Sequence, residues 1–503
     1  MATSMLEHAA RLGVRPGRLY IDGEWGEPLA GKRWAHVHPA TNEEITTIAR
    51  AEQEDVDRAV RSARRAFDEG PWPHLKARER KRLLQPLIDL VYANASELSD
   101  LQTLDNGLPV AFGRSYRVSA EFCADVFDHY FGWIDKITGE VYPQFSEMTP
   151  LQYLSFREPV GVVAGINPWN APLLQFPEKV GPALATGCCI VIKPSEYASL
   201  TILRLTELIA ELDLPPGVLN VVTGVGSEAG EALVTHPGVD KVSFTGSVAI
   251  GKHIVEAGAA TLKRVTLELG GKSPAIVFPD IPELVERAAA TIAGQVFYGL
   301  SGQVCSAQTR AIVHESGYDD FVQHLEARVA AVRQGDPFDE KTTSAPMINK
   351  TQLTKVQDFI ERGAGDGATI LLGGGEPAPE LAAGNWVNPT VFVDVPAGSP
   401  LVRDEIFGPV LTVIPFRNED EAVRIANQSD YGLAAGLYTA DIARAHRVTR
   451  ALRAGAVGVN GYSFMPNSPF GGVKSSGLGR EGGWSSIEEF TEVKTMAVDL
   501  SAG

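Results

Sequence analysis

Three residues far apart along the chain are of types that could together do covalent chemistry on a carbonyl carbon. Cys305 lies in "GLSGQVCSAQTR" (299–310), where Gly302, Gln303, Val304 and Ser306 stand in place of the bulky side chains that usually enclose a structural cysteine. Glu268 comes near the end of the β-branched run "RVTLEL", just before Gly270 and Gly271, and Asn170 closes "NPWN" after "VGVVAGI". Each has a plain structural reading on its own. Cys305 could be a small buried hydrophobe. Glu268 could be a buried carboxylate bonded to nearby backbone, and Asn170 could cap the helix that "NAPLLQ" opens.

Taken jointly, the three make one mechanism. A thiolate is the best protein nucleophile near neutral pH, although a free thiol of pKa about 8.5 is only a few per cent ionised. Its addition to an aldehyde would create an oxyanion, for which the Asn170 amide and the Cys305 backbone N–H are candidate donors. Losing one such donor typically costs roughly 10²–10³ in rate. The adduct could then expel hydride to a nicotinamide and leave a thioester, which water would cleave with Glu268 as base. Small neighbours around Cys305 fit this reading, because substrate and hydride acceptor must both reach the sulfur.

The elements that would position these groups follow an α/β rhythm. Residues 160–166, 189–193, 219–223, 241–245 and 264–269 read as short strands. Helical patterns separate them, as in "SLTILRLTELIAEL" (199–212). This alternation implies a mostly parallel sheet with helices on both faces. In such sheets ligands bind beyond the carboxyl ends of the strands. Polar or glycine-rich chemistry follows all five: Asn167 and Asn170, then Lys193 and Glu196, then "GVGSEAG" (224–230), then Gly246 and Ser247, then Glu268 with its glycines.

The fitting ligand is a dinucleotide. Glu196 could accept both hydroxyls of an adenosine ribose, and Lys193 could reach the same sugar or a phosphate. Glycines 224, 226 and 230 would let backbone N–H groups approach a diphosphate, and Ser247 could donate to it. The spacing is G-x-G-x-x-x-G after the third strand, not the usual G-x-G-x-x-G after the first.

A second α/β block is expected after residue 271, with helices in "VERAAATIAGQVFYG" and "YDDFVQHLEARVAAV" and strands in "TRAIVH", "VNPTVFVDV" and "VLTVIPF". Residues 53–68 and roughly 77–104 read as helical. Residues 139–159 have strand-like alternation outside the βα rhythm and suggest a protruding hairpin that joins subunits.

Composition narrows the field. The chain has 503 residues, 44% of them hydrophobic, enough for two or three packed domains. Sixty-two acidic against 45 basic side chains give a net charge of -17, which argues against nucleic acid as a partner. Four cysteines are too few for a disulfide framework, and no metal-ligand spacing occurs. No secretory signal or membrane-spanning run is apparent, so a soluble cytoplasmic protein is expected.

Over roughly residues 20–495 the chain resembles the aldehyde dehydrogenase superfamily, the NAD(P)-dependent type with a cysteine nucleophile. "PWNAP", "IKPSE", "GVGSEAG", "FTGS", "LELGGKSP", "SGQVCSAQTR", "EIFGPVL" and "SPFGGVKSSGLGREGG" occur in that family's order. The resemblance implies Cys305 as nucleophile, Glu268 as base and Asn170 as oxyanion donor. It implies cofactor contacts from Ile166, Trp169, Lys193, Ser195, Glu196, Gly226, Gly230, Phe244, Gly246, Ser247, Leu269, Glu405 and Phe407. Glu405 would bind the nicotinamide-side ribose, with Phe407 near the ring. A Rossmann-like NAD-binding domain (1–138 and 160–271), an α/β catalytic domain (272–480) and a small β oligomerisation unit (139–159 and 486–503) follow, in a homodimer or homotetramer.

The substrate tunnel is expected at Ala171, Gln175, Glu178, Val304, Phe464 and Met465. Ala171 replaces a frequent aromatic, and Glu178 replaces an aromatic or aliphatic mouth residue. Leu300, five before Cys305, stands where the family often has Asn. A roomy, partly apolar tunnel points to an aromatic or longer aliphatic aldehyde. An amino-aldehyde or semialdehyde is the alternative if Glu178 faces the tunnel. Glu196 favours NAD over NADP, since it would repel a 2′-phosphate, and Glu268 favours hydrolysis to the free acid. Two rivals come from other classes. The intact ribose and phosphate motifs argue against a cofactor-free thiol esterase, and the complete Cys305–Glu268–Asn170 set argues against a dinucleotide-binding protein with dead chemistry.

Overall fold

The computed structural model describes residues 4–115, 118–146, 150–396, 398–461 and 465–502. The five expected strands are present: β1 (Val162–Ile166), β2 (Cys189–Lys193), β3 (Leu219–Val221), β4 (Lys241–Thr245) and β5 (Arg264–Glu268). They lie side by side and parallel in the order β5-β4-β1-β2-β3. β1, β2 and β4 are buried at every position, as strands covered on both faces must be. Leu19–Ile21 adds antiparallel to β3, and Gly477–Leu478 adds antiparallel to β5. The latter strand falls within the range expected for the catalytic segment but belongs to this first sheet.

The helices follow their local chemistry. Gln53–Asp68 forms as its periodicity predicts. The region expected as one helical stretch from 77 is three helices: Ala77–Leu84, Pro86–Ala93 and α1 (Ala95–Asn106). Pro86 has no N–H to donate, so it begins a helix rather than continuing one. α1 stops at Gly107, whose φ of 74° gives the left-handed cap. α2 (Pro172–Thr186) follows β1, α3 (Leu200–Ala210) follows β2, and α4 (Val248–Gly258) follows β4. Ser247 caps α4 by accepting from the Ile250 N–H.

A second sheet has the order Thr369–Leu372, Thr390–Val393, Val410–Phe416, Arg310–His314, Pro274–Val277, Ala434–Tyr438, Ala456–Val459. All its pairings are parallel except the first. Separate hydrophobic clusters pack against it, one built on Ala288, Ile292 and Phe321, another on Phe278, Ala445 and Val448. A three-stranded antiparallel sheet stands apart. Val141–Tyr142 pairs with Leu151–Pro159, which pairs along its length with Thr491–Asp499.

In the first sheet the chain runs from β1 to β2 and β3 on one side, then returns to place β4 and β5 on the other. The order therefore reverses between β1 and β4, and a crevice opens at their carboxyl ends.

Candidate active site

A cavity of about 190 Å³ occupies that crevice, and Cys305, Glu268 and Asn170 all line it. They arrive from three directions: the end of β5, the turn after β1, and a loop preceding the strand Arg310–His314. Gly270 and Gly271 permit this convergence. A Cβ on Gly271 would sit 2.3 Å from the Cys305 carbonyl oxygen, and one on Gly270 would sit 2.2 Å from Glu405 Oε2.

Asn170 does not cap α2. The cap position is Ala171, with no side-chain bond. Asn170 Nδ2 instead donates to the Gln303 carbonyl at 3.0 Å. Gln303 is itself fixed, its Nε2 donating to the Leu300 and Pro346 carbonyls and its Oε1 accepting from the Ile348 N–H. The nucleophile loop is thus held by side chain–backbone bonds, and small residues beside Cys305 leave the sulfur approachable.

Glu268 is 2% exposed, yet neither carboxylate oxygen has a protein hydrogen-bond partner. Buried polar groups are normally satisfied, so this exception requires an explanation. The backbone-bonded alternative is absent. Burial, then the negative charge of Glu481, raise its pKa well above the carboxylate range, against the opposing pull of Lys179 and Arg480. Cys305 keeps part of its surface open. Burial, then the charges of Glu268 and Glu405, push its thiol up to about 12. Both effects favour the protonated thiol.

One wall of the cavity carries Trp169, Glu405 and Phe407. The Trp169 and Phe407 rings meet edge to face, centroids 5.4 Å apart. Phe407 has φ 61°, a costly backbone conformation for a bulky residue. Gln352 Nε2 holds it there by donating to the carbonyls of Ile406 and Phe407. Glu405 Oε1 accepts from the Gly271 N–H at 2.9 Å. Burial raises its pKa, while that bond, Lys355 and Lys272 oppose the rise. Gly246, Ser247, Leu269 and Gln175 also line the cavity.

The other expected cofactor residues lie along the strand ends, outside the cavity. Ile166 is in register with Phe244 on β4 and with Lys193 on β2. Lys193 Nζ donates to the Pro194 and Gly224 carbonyls, both at 2.7 Å, and stands 3.6 Å from Glu196. Ser195 Oγ accepts from the Tyr197 N–H. Gly226–Gly230 forms a wide helical turn beyond β3, with Gly230 against the Lys193 stem.

Among the described tunnel residues only Gln175 lines the cavity. Ala171 is buried, Val304 is half-buried and Met465 is exposed. Phe464 lies outside the described residues. Glu178 corrects the expectation of a mouth residue. It is 1% exposed, and its Oε2 accepts from the Tyr130 hydroxyl. Burial, then Glu481, push its carboxyl up to about 8. It faces inward because a hydroxyl donor waits inside the helix packing, whereas the sequence alone shows only a charge among apolar residues.

Five further residues were not foreseen: Thr245, Gln352 and Lys355 on the cavity wall, and Lys179 and Glu481 behind it. Lys179 Nζ bonds Thr245 Oγ1 and Glu481 Oε1, both at 2.8 Å, and Thr245 Oγ1 donates to Gln175. The signal for Lys179 was a second charge beside Glu178 in the largely apolar helix "PLLQFPEKVGPALAT". Gln352 and Lys355 sit on a polar helix, Lys350–Gly365, and carried none. Among the described residues no group of three or more His, Cys, Asp or Glu side chains could hold a metal, and no helix is long and apolar enough to cross a membrane.

A parallel sheet whose order reverses at a crevice lined by a thiol, an amide and an unpartnered carboxylate has the dinucleotide-binding arrangement of a dehydrogenase. The chain belongs to the aldehyde dehydrogenase family, matching it over residues 25–496. It is 43% identical to a putative aldehyde dehydrogenase, DhaS, of Bacillus subtilis, covering 96% of each chain. It is 42% identical to the mitochondrial aldehyde dehydrogenase of Homo sapiens, covering 99% of each. Among solved structures it is similar to betaine aldehyde dehydrogenase from Staphylococcus aureus in complex with NAD+. The TM-score is 0.94 and the identity 37%, over 98% of this chain and 97% of that one. It is also similar to the indole-3-acetaldehyde dehydrogenase AldA of P. syringae, in complex with NAD+ and IAA. There the TM-score is 0.93 and the identity 37%, over 99% of this chain and all of the other. The protein is an NAD-dependent oxidoreductase acting on an aldehyde.

Proposed function

We propose that the chain oxidises an aromatic or longer aliphatic aldehyde to its carboxylic acid, with Cys305 as nucleophile, Asn170 as oxyanion donor and Glu268 as general base. The observation that carries this is Glu268, a buried carboxylate with both oxygens unpartnered on the wall of the cavity that Cys305 lines. A structural carboxylate would be bonded, whereas a group that exchanges protons with water must stand clear of fixed donors; with its pKa raised by burial and Glu481, Glu268 acts as base from its ionised fraction.

The residues divide the labour. Glu268, whose charge bears on Cys305, takes the thiol proton and passes it to solvent, which frees the sulfur to add to the carbonyl carbon. Asn170 uses one amide hydrogen on Gln303, which leaves the second for the developing oxyanion. NAD, when bound, supplies the hydride acceptor. Glu268 then takes a proton from the water that cleaves the Cys305 thioester. The residues present fit NAD: Glu405 and the paired rings of Trp169 and Phe407 face the nicotinamide end, and Ser247 stands at the N-terminus of α4. Glu196 and Lys193 would meet the adenosine. Two of the Lys193 donors are spent on backbone carbonyls, and the amine stands close to Glu196, so it is poorly placed to offset that carboxylate's repulsion of a 2′-phosphate. That arrangement favours NAD over NADP.

The position of Glu178 favours a neutral substrate. A buried carboxyl that holds its proton up to about pH 8 gives no charge to attract an amine. Ala171, buried next to Asn170, carries no ring to project from that turn toward the cavity, which leaves room for bulk. A panel of aromatic, long aliphatic and amine-bearing aldehydes, followed by NADH formation at saturating NAD, tests this. The highest kcat/KM should fall on the first two classes; a preference for the amine-bearing class would reject it.

Residues 1–138 with 160–271 form the NAD-binding domain in this reading, and 272–480 supply the catalytic one. The three-stranded sheet exposes Val141, Val493 and Met496, with Phe145 exposed just past its first strand, and is the surface that joins copies into a dimer or tetramer. Four free cysteines suit a reducing compartment, the cytoplasm.

A further inference from the structure

The turn Asp105–Asn106–Gly107 ends α1 and contributes no residue to the cavity wall, yet it touches the turn after β1, the start of α3 and the Pro346 segment that braces Gln303. Asp105 Oδ1 accepts from the Leu200 N–H at 3.0 Å. Its Oδ2 accepts from the Thr201 N–H at 2.8 Å and the Thr201 hydroxyl at 2.6 Å. This fixes the N-terminus of α3, and with it the end of the Lys193–Glu196 loop. Gly107 packs under Pro346, where a Cβ would lie 2.9 Å from the proline ring, and the Pro346 carbonyl accepts from Gln303.

Asn106 is the centre of the arrangement. Its Nδ2 donates to the Trp169 carbonyl at 3.2 Å and the Asn170 carbonyl at 3.1 Å, while its Oδ1 accepts from the Leu108 N–H at 3.0 Å. Both amide hydrogens are thus spent on two consecutive carbonyls of the turn after β1. The residue is 1% exposed, so no bulk water would replace those bonds. Holding both carbonyls fixes the peptide planes on either side of the Asn170 Cα, and those planes set the direction of its side chain. Asn170 then needs only its bond to Gln303 to aim its second hydrogen into the cavity. Only a primary amide at this reach offers two donors and one acceptor together.

We propose that Asn106 is a positioning residue for Asn170, holding the oxyanion donor's backbone so that its amide points at the reacting carbonyl. This rests on the reading of Asn170 as the oxyanion donor. A purely structural role would lower stability without a selective effect on the step that Asn170 serves. Residues that act as one unit are non-additive, and a double-mutant cycle exposes this.

The experiment compares wild type, N106A, N170A and N106A/N170A by the single-turnover rate of NADH formation at saturating NAD and aldehyde. NADH affinity by fluorescence and thermal midpoint are measured alongside. N106A should slow the single turnover about tenfold, with NADH affinity within about twofold of wild type. The double variant should be no more than about twofold slower than N170A. If N106A melts too low to assay, N106S takes its place in the cycle. Its shorter hydroxyl can still hold one carbonyl, and its rate should fall between wild type and N170A. An N106A rate within about twofold of wild type overturns the proposal, as does a double variant in which the two effects multiply. N170A at wild-type speed instead removes the oxyanion reading, and this inference with it, so the two failures are distinguishable.

Discussion

The side-chain amide of Asn170 donates to the backbone carbonyl of Gln303, two residues before Cys305, at 3.0 Å. The bond joins the end of the first parallel strand to the loop that carries the thiol. It therefore ties the position of the proposed oxyanion donor to that of the proposed nucleophile. Asn170→Ala should reduce the single-turnover rate of NADH formation by roughly 10²–10³, the usual cost of one oxyanion donor. NAD affinity should be nearly unchanged. A rate within tenfold of wild type would show that the oxyanion is stabilised elsewhere.

Glu268→Gln should separate the two halves of the reaction. The amide cannot take a proton from water, so the thioester should accumulate. Stopped-flow mixing with NAD and aldehyde should show a burst of NADH close to one per active site, followed by a steady rate at least about 10²-fold below wild type. A linear trace at wild-type rate would mean that another group is the base.

Glu178 makes a stability prediction whose sign follows from its buried position. Its carboxyl binds a proton more tightly folded than unfolded, with a pKa near 8 in place of 4.5. That contribution favours folding at low pH and is lost as pH rises from about 4.5 through about 8. Glu178→Gln keeps an oxygen for the Tyr130 hydroxyl and never ionises. At pH 8.5 it should melt at least about 2 °C above wild type, and at pH 5 the two should be nearly equal. A variant that melts below wild type at pH 8.5 would show that the carboxylate is paired more favourably than its surroundings indicate.

His38 works in the opposite direction. It is fully buried, its Nδ1 accepts from the Ala40 N–H, and burial, helped by His36 and His8, lowers its pKa from 6.5 to about 3. The folded chain resists protonation that the unfolded chain accepts. Stability from this residue is complete above 6.5 and falls as pH drops toward 3, by roughly 1.4 kcal/mol per unit. His38→Asn, whose Oδ1 can take over the Ala40 bond, should have a flatter stability profile between pH 6.5 and 5. Parallel profiles for variant and wild type would locate the acid sensitivity elsewhere.

What was legible in the sequence followed from period and from residue type at strand ends. The strands β2 and β4 form over the residues their runs marked: β2 is apolar up to Lys193, and β4 alternates Val242 and Phe244 with buried Lys241, Ser243 and Thr245. Cys305, Glu268 and Asn170 were singled out because one reaction would use all three, and the fold brings them to one cavity wall. Packing partners were not. The Glu178 charge gave no hint that it points at Tyr130 rather than outward, since helical spacing fixes a face but not what lies against it. Gln352 and Lys355 looked like ordinary surface residues, and only the fold carries their helix to the cavity. The break at Pro86 was a local signal that the apolar periodicity of 77–104 hid.

The central claim is that substrate carbon becomes bonded to the Cys305 sulfur on a surface shared with Asn170 and Glu268. Glu268→Gln, mixed with NAD and an accepted aldehyde, quenched in acid during the burst and digested, tests it by mass spectrometry. The account predicts one acyl group per chain, on the peptide that contains Cys305, in amounts that match the NADH formed. NADH produced at the burst level with Cys305 unmodified, or with the acyl group on Cys123, Cys188 or Cys189, would contradict it.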